Sequence, residues 1–333
     1  DENVVDYDHP KVLLFRNVER LPQPALAARV TAEASRPPGS SVVLIGRDIS
    51  DGQLLTDTEW EAQRQGGTWS EIVRPDAWAS RVPVLAWLLL VELLCLAALP
   101  LAWHIFAFLP DRGLLLAKLL GLLGASYVAW ILASAEVLAF SRISLLAGML
   151  ALAALSAVVL AFRWREFLAF LRRHWRLALV GEALFLAAFL SFLAVRAANP
   201  DLWHPFRGGE KPMEFAYLNA VFRSTYMPPY DPWFAGGAMN YYYWGYFVVA
   251  GLMKALGIDP SVGYNLAVPL LYALTALGAF AIVYNVTEGL RRARGGAARW
   301  AWGPVAAGLV AAALVVAVGN LDGVVQLVQG RWS

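Results

Sequence analysis

From residue 82 onward the chain is a succession of apolar runs of roughly 20 residues, the length a helix needs to cross about 30 Å of hydrocarbon. The runs are 82–108, interrupted only by Glu92 and His104; 114–138, with Lys118 and Glu136; 143–162; 177–197, with Glu182 and Arg196; 260–287; and 300–321. A chain so patterned has too little polar surface to hide its apolar residues in a water-soluble core. Its 59% hydrophobic residues and mean hydropathy of +0.53 agree, and predict an all-α polytopic integral membrane protein with about six to seven transmembrane helices. The formal charge of +2, with no long basic run, excludes a nucleic-acid partner. A single cysteine, Cys95, excludes an internal disulfide and cysteine-based metal sites.

Charge is spread unevenly. Residues 1–81 hold 13 acidic and 9 basic residues, and the rest holds 12 and 18, so a net −4 precedes a net +6. The first part reads as a small soluble extracytoplasmic α+β segment. It has strands at Val12–Phe15 and Val42–Ile45, a helical stretch near Ala25–Ala32 and a break at Arg36-Pro37-Pro38-Gly39. The expected domains are therefore 1–81 and 82–333. No Met opens the chain and no signal-peptide pattern precedes Asp1, so the sequence reads as a piece of something longer, equally arbitrary at Trp332-Ser333.

Orientation follows from the bias of Lys and Arg toward cytoplasmic loops. Residues 163–176 carry five arginines and one glutamate and are expected to be cytoplasmic. That places 1–81 and the loop 198–240 outside the membrane. A second basic connection, Arg291, Arg292, Arg294 and Arg299, becomes cytoplasmic only if the short segment 241–257 does not cross. Its aromatic start, Tyr241 through Phe247, suits an interfacial position, because Tyr and Trp rings with one polar edge collect at the headgroup level. If 241–257 does cross, the arginine loop lies outside. The localisation expected is a multi-pass protein of the cell membrane, in contact with membrane lipids.

The loop is long for a connector and carries four acidic and three basic residues among prolines and glycines. Its motifs are Glu-Lys-Pro-Met-Glu (210–214), Pro-Pro-Tyr-Asp-Pro-Trp (228–233), Gly-Gly (236–237) and Asn-Tyr-Tyr-Tyr (240–243), followed by Tyr-Asn-Leu (264–266). With Leu109–Gly113, Asn199-Pro200-Asp201 and Gly319–Gly323, this set resembles, over about residues 82–333, the YYY membrane-protein family, a domain of unknown function named for its tyrosine triplet. In that family the first motif ends in Asp; Glu214 keeps the carboxylate here. The stretch Asp6–Val12 is similar to the extracytoplasmic tail of such proteins, which implies an upstream membrane module. The layout in turn resembles the GT-C glycosyltransferases, multi-spanning enzymes that use lipid-phosphate-linked sugars, with a long extracytoplasmic loop that opens on an acidic motif and ends in an aromatic helix.

That resemblance implies a sugar transferred from a polyprenyl phosphate on the extracytoplasmic side. The alternative is a noncatalytic protein that binds or transports lipid-linked glycans. Transfer needs a carboxylate near the acceptor hydroxyl and cations at the leaving phosphate. Glu210 is the expected base, with Glu214 second; one helical turn apart, they can hold a divalent cation such as Mg or Mn or divide the roles. Arg207, Lys211 and Arg223 are candidates for the lipid phosphate. Asp231, Asn240, Tyr241, Tyr242 and Tyr243 are candidates for sugar or acceptor binding. Plainer readings stand beside each: solvated loop acids, headgroup anchors, a Pro-Pro-Tyr-Asp-Pro turn and an interfacial aromatic belt. Three consecutive tyrosines cannot all face lipid from one helix stripe, so at least one is expected to face protein or a cavity. Among residues within spans, Lys118 is expected to snorkel, Glu182 to pair with Arg176, and His104 to be structural. His204, near Glu210, is a weaker metal-ligand candidate.

Overall fold

A computed structural model describes residues 54–202, 210–297 and 300–320, with isolated positions between 22 and 48 and residue 325. The described chain is overwhelmingly helical. Short helices α1 (Asp57–Arg64), α2 (Trp69–Ile72) and α3 (Trp78–Arg81) lead into α4 (Pro83–Ile105). Then come α5 (Ala117–Ser134), α6 (Arg142–Ala198), α7 (Lys211–Arg223), α8 (Trp244–Leu256), α9 (Pro260–Ala293) and α10 (Trp302–Val316). Among the described residues, four helical stretches are long and apolar enough to cross a membrane: Pro83–Ile105, Leu114–Ser134, Arg142–Ala198 and Pro260–Ala293. Both faces of these helices are apolar. In α4, Trp87, Val91, Leu94 and Ala98 are buried while Leu85, Leu89, Leu93 and Leu96 are exposed, as expected where lipid replaces water outside.

Helices approach closely where the sequence supplies glycine. A Cβ at Gly121 would lie 2.2 Å from the Leu94 carbonyl oxygen, and one at Gly148 would lie 2.1 Å from that of Ala125. These contacts join α4 to α5 and α5 to α6 by backbone, the small-residue packing that membrane helices use in the absence of a hydrophobic drive between them. Ser141 starts α6 by accepting the Ile143 N–H at 3.2 Å. Asp259 starts α9 by accepting the Ser261 N–H at 2.8 Å, with Pro260 at the first helical position.

One expectation holds and three need correction. The runs 143–162 and 177–197 fall in two helices, the two halves of α6, which meet at a kink where the backbone leaves helical geometry at Arg163 (φ −131°, ψ 20°). The chain reverses there, since Ser156 before the kink bonds the Ala97 carbonyl, Phe167 after it packs on Trp103, and Arg196 reaches Asn265 far from both. The run 300–321 yields α10, whose 15 residues span only about 22 Å at 1.5 Å each. Lys118 does not snorkel and Glu182 does not pair with Arg176. Lys118 is buried between Glu92 and Glu182, the latter at 2.8 Å, linking α4, α5 and α6 because an unpaired ammonium at that depth is costly.

Of the expected N-terminal elements, Val43–Leu44 pairs antiparallel with Arg47–Asp48. Residues 12–15 and most of 25–32 lie outside the described residues. The bundle has two distinguishable ends. At one, His104 contacts Arg163 at 3.3 Å, and the Asp111 N–H donates to Asn285 Oδ1 at 3.1 Å, so this end gathers residues 104–113, 163–174 and 285–292. The other gathers 54–81, 130–141 and the loop. Both termini of α8 lie at the loop end: Tyr243, just before it, takes a 3.0 Å bond from Trp130 Nε1, and Lys254, near its close, bonds the Phe140 and Ser224 carbonyls.

Candidate functional site

The loop end is built on α7. Glu210 is the residue that starts this helix, and Pro212 fits its first turn, where the missing N–H costs nothing. The Glu214 N–H donates to the Glu210 carbonyl at 2.9 Å, so the two carboxylates rise from the first turn of one helix. Acidic side chains there also complement the helix dipole. Glu210 is exposed and Glu214 half-buried.

Glu214 Oε2 accepts a 2.6 Å bond from the Tyr264 hydroxyl, at the start of α9. Beside Tyr264, the Asn265 side-chain oxygen accepts two bonds from Arg196 at 2.9 and 2.7 Å, and its amide donates to the Pro200 carbonyl at 3.2 Å. Three motifs separated in sequence, 199–201, 210–214 and 264–266, thus meet at one place. Tyr264 and Arg196 carried no role in the sequence reading; only the motif Tyr-Asn-Leu pointed to this corner.

Tyrosines surround the carboxylates. Tyr217 stacks on Tyr241 with ring centres 5.0 Å apart, Tyr241 meets Tyr242 at 4.3 Å with the rings tilted by 42°, and Tyr217 also faces Tyr246 at 6.1 Å. Burial, with the Glu214 charge adding, pushes the Tyr246 hydroxyl up to about 12. Tyr217 and Tyr241 are also raised, chiefly by desolvation. These hydroxyls therefore stay protonated and act as hydrogen-bonding groups. The triplet precedes α8 rather than lying on a helix, and it divides: Tyr242 is 79% exposed, Tyr241 partly so, and Tyr243 turns inward to Trp130.

The other candidates separate. Lys211 lies on the first turn of α7 beside the glutamates. Arg223, at the far end of the same helix, lies over the Trp69 ring at 4.2 Å and lines a cavity of about 180 Å³ with Trp60, Gln63 and Tyr230. Asp231 Oδ1 accepts the N–H groups of Trp233 (2.8 Å) and Phe234 (3.1 Å), closing the turn that the plainer reading expects. Asn240 is exposed. Arg207 and His204 lie outside the described residues. Among the described residues no group of three His, Cys, Asp or Glu gathers to hold a metal ion.

A residue outside the loop fixes its shape. The buried Gln63 side chain donates to the Tyr226 and Pro228 carbonyls at 3.1 and 3.0 Å and accepts the Thr225 and Tyr226 N–H groups at 2.8 and 3.2 Å. Residues 54–81 therefore form one wall of the loop. Nothing in the sequence around Gln63 signals this.

The helices and this end define a helical membrane protein with a polar, tyrosine-rich loop held over one end of its bundle. The chain belongs to a family of uncharacterized membrane proteins (DUF2298), whose model matches residues 125–333. Comparisons with curated proteins and with solved structures find no match.

Proposed function

We propose that this chain carries the extracytoplasmic acceptor site of a membrane glycosyltransferase of GT-C type, one that uses a polyprenyl-phosphate sugar. The observation that carries the reading is the convergence of Glu210, Glu214, Tyr264 and the stacked tyrosines at one end of an apolar bundle. In the reaction, exposed Glu210 takes the proton of an acceptor hydroxyl as that oxygen bonds the anomeric carbon. The bond from that carbon to the phosphate oxygen breaks, and the phosphate leaves on its lipid. Lys211 and Arg207 meet the developing phosphate charge. Glu214, engaged by Tyr264, orients the site or, with Glu210, holds a divalent cation. The tyrosine rings offer faces and hydroxyls to the sugar. The name YYY and the likeness to GT-C enzymes belong to this proposal, as do an extracytoplasmic loop 198–240 and cytoplasmic connections 163–176 and 288–299.

One observation favours the noncatalytic alternative: two loop-end cavities, of about 180 and 150 Å³, are lined by residues such as Trp60, Arg223, Glu71 and Lys254 rather than by Glu210. The Glu210→Gln variant separates the two. With a panel of synthetic polyprenyl-phosphate hexoses and pentoses, the wild type should release polyprenyl phosphate, and the variant should lose at least a hundredfold in rate with an unchanged melting temperature. A variant as active as wild type removes Glu210 from the role of base. Binding of the donors without turnover by wild type supports the noncatalytic reading.

A further inference from the structure

At the end of the bundle away from the loop, a cavity of about 380 Å³ is lined by Leu109, Pro110, Arg112, Ala169, Phe170, Arg173, His174, Arg292 and their neighbours. Its charged lining is three arginines and a histidine against one glutamate, Glu166, which is already bound by Arg163 at 2.5 Å. The Arg292 Nε is on Glu288 at 2.7 Å. Arg112 differs: its Nε is buried without a hydrogen-bond partner among the described residues. Its guanidinium lies 4.1 Å from the centre of the fully buried Trp103 ring, and that of Arg163 lies 4.7 Å from the same ring. Burial and the Arg163 charge pull Arg112 below its ordinary value. Glu166 answers the Arg163 charge, so Arg112 is the cation on this ring that is left without a bonded anion among the described residues.

The placement of Arg112 is built into the backbone. Arg112 adopts a positive φ of 49°, rare for a residue with a side chain. The buried Asp111 carboxylate braces that turn by accepting the N–H groups of Gly113 and Leu115, each at 3.0 Å. A strained cation held by a dedicated brace at a cavity wall is a feature of binding sites. The residues flanking the cavity wall in sequence, Phe108, Phe162, Trp164 and Trp175, are exposed at 77%, 84%, 51% and 53%, as aromatic rings are at the headgroup level.

We propose that this cavity binds a phosphate-bearing anion, held by Arg112 with Arg173 and Arg292, at the membrane surface opposite the loop. Arginine suits phosphate because its planar fork donates two parallel bonds to neighbouring oxygens. The phosphate is that of a lipid headgroup or of a free, water-soluble phosphate, and the experiment distinguishes them. The purified full chain in a neutral detergent is titrated with dioleoyl phosphatidic acid, dioleoyl phosphatidylcholine and inorganic phosphate, read by native mass spectrometry and by melting temperature. Phosphatidic acid should bind at least tenfold more tightly than phosphatidylcholine. Stabilisation by inorganic phosphate alone to the same extent identifies a free phosphate as the ligand; stabilisation only by the lipid identifies the headgroup. Arg112→Gln should weaken binding tenfold or more. Ala169→Asp, which puts a carboxylate at the exposed wall without removing a contact, should do the same and covers the case of an unfolded Arg112 variant. Arg165→Gln, outside the cavity, should bind as wild type. The proposal fails if neither phosphatidic acid nor phosphate shifts the protein, or if Ala169→Asp binds both as wild type does.

Discussion

At each end of the bundle one buried charge is held by backbone groups instead of an opposite charge, and the two are held differently. Lys254, at the loop end, donates to the carbonyls of Phe140 and Ser224, 114 and 30 residues away in sequence. Asp111, at the arginine end, accepts from Gly113 and Leu115, two and four residues on. Lys254 therefore ties α8 to the chain before α6 and to the close of α7, while Asp111 shapes a single turn. Both answer one constraint. Irregular chain at the end of an apolar bundle leaves backbone groups out of reach of water, and a polar side chain must satisfy them. The loop end needs a tertiary lock because its segments come from distant parts of the chain, whereas the arginine end needs a local brace to aim Arg112.

The largest test of this contrast is Lys254→Met. It strips two buried carbonyls of their donor and should cost roughly 2–5 kcal/mol, read as a lower melting temperature in detergent and faster proteolysis of the loop. Asp111→Asn, which keeps one acceptor oxygen for two amides, should cost about 1–2 kcal/mol and leave loop proteolysis unchanged. If the Asp111 variant opened the loop and the Lys254 variant did not, the division of labour would be reversed. Tyr264→Phe, which removes one hydrogen bond from Glu214, should cost about 1 kcal/mol.

The pH response should separate the ends more finely. Burial pushes the Lys254 ammonium down to about 7. Between that value and the ordinary lysine value near 10.5 the unfolded lysine carries a proton that the folded one lacks, so stability rises with pH across this window. A neutral amine still has two N–H groups for its two carbonyls. For Asp111, burial raises the carboxyl against the opposing effect of its N–H donors. Above the ordinary value of 3.8 the folded group keeps a proton the unfolded one has lost, so stability falls as pH rises until the folded group also ionises. Melting curves of wild type, Lys254→Met and Asp111→Asn should lose the alkaline rise in the first variant and the acidic fall in the second; identical profiles in all three would contradict both assignments.

Sidedness is a separate matter, checked by labelling. A cysteine introduced by Arg292→Cys, in a chain with Cys95 replaced by serine, should be shielded from an impermeant thiol reagent in intact cells. Labelling there would place the arginine end outside and invert the proposed orientation.

Much of this was legible from residue order alone. Apolar run length located α4, α5, α9 and both halves of α6, because crossing hydrocarbon demands a fixed length of apolar helix. The kink at Arg163 was not visible, since continuous helix and helix–loop–helix read alike when the connection is Arg-rich and helix-prone. Glu210 and Glu214 stood out as loop carboxylates in a motif, whereas the inward turn of Tyr243 does not come from a helical stripe, because residues 241–243 precede α8. Their partners did not stand out. Tyr264 lies 50 residues from Glu214, and Gln63 lies 162 residues from Thr225. Lys118 looked like a snorkelling lysine because its two carboxylates sit on other helices.

The sequence by itself determined that this is a helical membrane protein whose polar residues concentrate in one loop and two arginine-rich connections. That much is a matter of composition and period, which act along the chain. Only the tertiary structure decided which charges meet: Lys118 with Glu92 and Glu182, Glu214 with Tyr264, and Arg112 with Trp103 beside Arg163. Ion pairs and hydrogen bonds act over a few ångströms of space, and helix packing brings together residues that the chain keeps tens to hundreds of positions apart.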